Sequence, residues 1–98
     1  GSSRVPKILL STLVGPTLFS LRVPEDGNAT RFADLFFAFY QQHQATLLGV
    51  ASGRAADEIF LNPPADRIVM SGETLYYIAE HRLTSESVAW SSIAQGYN

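Results

Sequence analysis

The chain has 98 residues, 46% of them hydrophobic and 16% charged, with a formal net charge of −2 and no cysteine. That composition is too apolar for a disordered chain and suits one domain, which at this length buries roughly two thirds of its unfolded surface. Disulfides, thiolate zinc sites and cysteine nucleophiles are excluded, and the acidic balance with no basic stripe gives no footprint for nucleic acid.

Residues 1–3 (Gly-Ser-Ser) read as a scar of tag removal. Residues 4–16 are apolar without a clear period and read as a linker or crossover segment from a preceding subdomain, stopped by Gly15-Pro16. The densest apolar run, 8–21, is broken by Ser11, Thr12, Gly15 and Pro16 and falls short of the ~20 residues a membrane-spanning helix needs. Direct membrane insertion of this stretch of chain is therefore not expected. The chain reads as a piece of a longer protein, and any membrane segment is expected in the part left out.

Residues 17–23 (TLFSLRV) alternate as a half-buried strand, with Phe19, Leu21 and Val23 on the core side. Pro24-Glu25-Asp26-Gly27-Asn28 is a turn. Thr30 suits an N-cap and Asp34 the first turn of a helix running from Arg31 to His43. On that helix Phe32, Leu35, Phe36 and Phe39 form one stripe, and Phe37 and Tyr40 widen it to an arc of roughly 200°, where a surface helix needs about 100°. One small sheet cannot use the whole arc. A second copy is the simplest cover, with Phe36, Phe37 and Tyr40 at the dimer interface.

Residues 46–51 (TLLGVA) form the next strand, and Ser52-Gly53-Arg54 begins a turn. A strand at 58–62 (EIFLN) stops at Pro63-Pro64, since proline cannot donate to a ladder. A brief extended stretch at 68–70 precedes Ser71-Gly72-Glu73. The last strand, 74–79 (TLYYIA), is apolar on both faces and so belongs centrally in the sheet. The tail, 84–98, reads either as a short helix from Thr84 or Ser85 or as partly ordered linker. The expected domain is 17–83, an α+β fold of order β-α-β-β-β with one sheet packed against a helix, dimerising.

The residues offer little chemistry. His43 sits at a helix end, His81 beyond the last strand, and neither has a carboxylate at ligand spacing. Glu25, Asp26, Asp57, Glu58, Asp66 and Glu73 all fall in or beside turns, where carboxylates are normally solvated; a loose oxygen-only cation site is the competing reading. No serine lies in G-x-S-x-G, and there is no G-x-G-x-x-G or P-loop. Ser52-Gly53-Arg54 reads first as an ordinary hairpin turn and second as backbone N–H groups and a guanidinium for a phosphate. Tyr76 and Tyr77 read as packing rather than a base-stacking platform. No constellation supports catalysis, so an enzyme is not expected.

The motifs LRVPEDG (21–27), TRFADLF (30–36), TLLGVASG (46–53), FLNPPAD (60–66) and SGETLYYIAE (71–80), in that order, carry a resemblance over about 18–83. They resemble the C-terminal subdomain of the regulator-of-potassium-conductance family, the TrkA-C domain, most like that of a prokaryotic potassium channel. Two positions depart from the family pattern: Glu73 stands where Asp is common, and Gln44 where many members have a helix-ending glycine. The resemblance implies a cytosolic regulatory subdomain on the cytoplasmic side of the cell membrane, following a Rossmann-like N-terminal subdomain in the gating ring of a membrane pore. It implies a homodimer and a regulatory ligand such as a cyclic dinucleotide or a divalent cation. The position it points to is marked by Ala51, Arg54, Asn62 and Pro63. The alternatives are a purely structural ring-assembly module without ligand, and a domain of a regulatory subunit of a potassium or other ion transporter.

Overall fold

The computed structural model describes residues 3–25, 29–53 and 58–96. Strand β1 (Ser3–Pro6) runs straight into helix α1 (Lys7–Val14), which Gly15 ends at φ 85°. Strands β2 (Leu18–Arg22) and β3 (Thr30–Arg31) precede helix α2 (Phe32–His43). Strands β4 (Thr46–Ala51), β5 (Glu58–Leu61), β6 (Ile68–Val69) and β7 (Thr74–Ile78) follow, then a 3-10 turn (Ser85–Ser87) and helix α3 (Trp90–Gly96).

Five strands form one sheet in the order β1-β5-β4-β7-β2, with every neighbouring pair antiparallel. β3 and β6 pair separately as a two-residue ribbon. The result is a small α+β domain with an antiparallel sheet and three helices among the described residues.

The expected order β-α-β-β-β is thus extended. The segment 4–16 does not cross the surface as a bare linker: β1 pairs with β5 at the sheet edge, Arg4 opposite Phe60, and α1 lies on the sheet. The short stretch at 68–70 does not join the main sheet either, because β6 pairs with β3 instead. The tail is folded, with Val88 and Ile93 buried against the α2 side.

β7 lies between β4 and β2, and its alternation explains why both its faces are apolar. Leu75 and Tyr77 face the larger core with Leu35, Phe39 and Val50 under α2. Tyr76 faces the smaller core with Leu10, Ala51 and Ile59 under α1. Both faces are covered within one chain, by α2 on one side and α1 on the other. Phe19, Leu21 and Val23 meet the larger core as expected. In that core the Tyr77 hydroxyl accepts a hydrogen bond from the Leu83 N–H at 2.7 Å, which ties the strand end to the tail.

Thr30 is not the helix cap. It lies in β3, and the residue before α2 is Arg31, in extended backbone without a side-chain cap. The first N–H groups of α2 go instead to carbonyls of the 65–67 loop: Phe32 donates to Arg67 (2.8 Å) and Ala33 to Ala65 (3.0 Å). These backbone acceptors do what a cap side chain would do. Asp34 stays near the helix start and pairs with Arg31 at 3.0 Å. At the other end Gln44 adopts the left-handed conformation itself (φ 52°, ψ 38°), so the helix closes there without glycine.

Candidate functional site

α2 divides its aromatic residues between two environments. Phe32, Leu35, Ala38 and Phe39 are buried, whereas Phe36, Phe37 and Tyr40 are 41%, 62% and 63% exposed. The chain's own sheet cannot reach them because they lie beyond the arc one helix face presents to it.

Next to this exposed face, the chain leaving β5 turns sharply. Asn62 takes φ 50°, a left-handed conformation that Asn tolerates better than most residues, and its N–H donates to the Leu48 carbonyl at 2.9 Å. Pro63 then packs in as a buried residue. Because α2 is held to the 65–67 loop by its first two N–H groups, the turn and the helix start stand side by side. Between them lies an open groove of about 340 Å³ lined by Phe32, Ala33, Phe36, Phe37, Asn62, Pro63 and Ala65. The Phe32 and Phe36 rings are tilted with centroids 6.4 Å apart.

This groove unites two expectations made separately, since Asn62 and Pro63 were named as ligand-binding and Phe36 and Phe37 as dimer interface. The other two ligand candidates are placed differently. Ala51 is fully buried in the α1-side core, and Arg54 lies outside the described residues. The sequence marks Phe32 only as a core residue and gives no sign of Ala33 or Ala65; the pairing of α2 with the 65–67 loop brings all three to the groove. The groove wall carries no ionisable side chain. It offers aromatic faces for a planar ring and the Asn62 amide as donor and acceptor.

Behind the groove lies a polar network that the sequence had read as solvated turn. Arg67, whose carbonyl holds Phe32, donates from Nη2 to Glu73 Oε2 at 2.9 Å. Ser52 Oγ donates to the same oxygen at 2.5 Å, and the Met70 N–H to Oε1 at 2.8 Å. The Glu73 side chain is only 13% exposed. Burial raises its carboxyl pKa, but the hydrogen bonds from Ser52, Met70 and Arg67, with the Arg67 charge, hold it below the usual value. Glu73 thereby joins the turn after β4 to the turn before β7, and Arg67 connects both to the start of α2.

The histidines stay apart. His43 lies edge-on to Phe39 with ring centroids 6.3 Å apart, and its Nε2 is buried without a hydrogen-bond partner. His81 is exposed. Among the described residues no three His, Asp or Glu side chains converge, and no helix is long and apolar enough to cross a membrane.

Fold and groove together define a small α+β domain with an exposed aromatic helix face beside a proline turn. No family model, curated protein or solved structure matches the chain.

Proposed function

We propose that this domain is a dimerising regulatory module that binds a small ligand in the groove between α2 and the Asn62-Pro63 turn, and so biases a potassium channel. The motifs of the sequence resemble those of the TrkA-C type of subdomain, and on this reading the domain lies on the cytoplasmic side of the membrane. The observation that carries the reading is the convergence of Phe36, Phe37, Asn62 and Pro63 on one groove. A groove walled on one side by exposed aromatics is completed when a second copy meets the same helix face. A ligand held between copies has different contacts when the copies move, and that difference in affinity is what gating requires. The apolar outer side of α1, with Ile8 78% and Leu13 75% exposed, accords with further packing against a preceding subdomain in a longer chain.

A groove of aromatic faces and one amide favours a planar, ring-bearing ligand such as a cyclic dinucleotide over a bare divalent cation, which prefers several oxygen ligands. The domain acts by binding, and no catalytic step is assigned to it.

Thermal unfolding with cyclic dinucleotides, adenine nucleotides and Ca²⁺ tests this. A ligand at a hundredfold excess over its Kd adds about 2.7 kcal/mol, which in a domain this size is a rise of roughly 10 °C or more. We expect the rise with a cyclic dinucleotide and its loss in Asn62→Ala. No stabilisation by any member of the panel would favour the structural assembly module instead.

A further inference from the structure

We propose a second binding site, in a separate hollow at the turns after β4 and before β7, for a phosphate group carried by a small molecule, with Arg22 as its cation. The strand register builds it. Arg22 on β2 stands opposite Thr74 on β7, and Thr74 stands opposite Ala51 on β4, so the three share one row across the sheet. Side chains opposite one another in an antiparallel sheet lie on one face, here the α1 face that Ala51 occupies.

Just beyond this row two Ser-Gly turns meet, Ser52-Gly53 after β4 and Ser71-Gly72 before β7. Gly53 and Gly72 both have positive φ (84° and 89°), and neither corner carries a side chain to fill the space. The Arg22 guanidinium occupies part of it, with Nη2 3.8 Å from where a Gly72 Cβ would stand. What remains is a hollow of about 310 Å³ lined by Arg22, Gly53, Ser71, Gly72, Glu73 and Thr74.

The charges and donors suit an oxyanion. Glu73 does not neutralise Arg22, because its carboxylate oxygens already receive Arg67, Ser52 and the Met70 N–H. Arg22 has no ion pair among the described residues, and neither Ser71 nor Thr74 hydroxyl makes a hydrogen bond there. A guanidinium fork with two hydroxyl donors can spread over the several oxygens of a tetrahedral phosphate, which presents more acceptor oxygens and more charge than a carboxylate. The site shares no lining residue with the groove and stands whether or not the groove binds a ligand.

Amide NMR titration of the protein with inorganic phosphate at fixed ionic strength, with acetate as the comparison, tests the assignment. Saturable shifts centred on Ser71, Gly72 and Thr74 are expected with phosphate and not with acetate. Arg22→Gln should weaken the phosphate response about tenfold or more, the worth of one charge-assisted hydrogen bond pair. Arg22→Lys, which keeps the charge but not the fork, should weaken it less, and Asn62→Ala should leave it unchanged. Arg22 is exposed, so the variant spectra should otherwise overlay that of the wild type. Shifts that fail to saturate, that acetate reproduces, that centre on the groove, or that survive in Arg22→Gln would each overturn the proposal.

Discussion

A Cβ built on Gly49 would lie 2.2 Å from the Phe60 carbonyl oxygen and 2.9 Å from its carbon, both backbone atoms that cannot swing aside. The pairing of β4 with β7 slips by one residue between Leu47 and Gly49, so Leu47 and Val50 both reach the larger core although three positions separate them. Gly49→Ala should therefore cost about 3 kcal/mol, the upper end of an overpacked core, measured by urea unfolding. The run TLLGVA did not disclose this bulge: Leu47 and Leu48 are equally apolar, and only the glycine hinted at a close backbone approach. Glu73 was hidden for another reason. Its partners Ser52 and Arg67 come from different turns, and no local pattern links them. Because its folded pKa is lowered, the stabilisation is fully present above the unfolded value and is lost as pH falls through the folded one. Unfolding free energy should drop as pH falls below about 4.3, and the drop should be shallower in Glu73→Gln. An identical acid slope in the two proteins would show that the network contributes nothing.

Helix α2 shows how far periodicity carries at the scale of an element. The stripe placed Phe32, Leu35 and Phe39 in the core but also held Phe36, which the fold leaves exposed along with Phe37 and Tyr40 of the widened arc. The spacing could not locate the start of the helix, because the acceptors for its first N–H groups belong to residues more than thirty positions away in sequence. Two substitutions on this one helix should behave oppositely. Leu35 is fully buried, so Leu35→Ala should cost about 2–5 kcal/mol. Phe37→Asp should leave the fold of the single chain within about 0.5 kcal/mol, since its ring touches no core, yet abolish association. A matching loss of stability in both would mean that the exposed face is needed by the monomer and is not reserved for a partner.

At the scale of the whole molecule, the sheet is a layer covered on both sides, by α2 and α3 on one face and α1 on the other. The strands β2, β4, β5 and β7 were legible because Pro63-Pro64, Ser71-Gly72 and Ser52-Gly53 punctuate short apolar runs, whereas the β3–β6 ribbon was not, its two strands being only two residues each. The edge strand and α1 were not, because residues 4–16 show no period. An eight-residue helix with one buried leucine, Leu10, gives too narrow a stripe to stand out. With both faces covered, the aromatics Phe36, Phe37 and Tyr40 of α2 stay exposed on the single chain. In the proposed function the groove beside Asn62 and Pro63 is completed by a second copy, which makes association the claim on which the regulatory reading stands. Sedimentation velocity of the wild-type domain at tens of micromolar tests it most directly. A species of twice the chain mass that Phe37→Asp reduces to a folded monomer is the predicted result, and a wild-type protein that sediments as a monomer would contradict it.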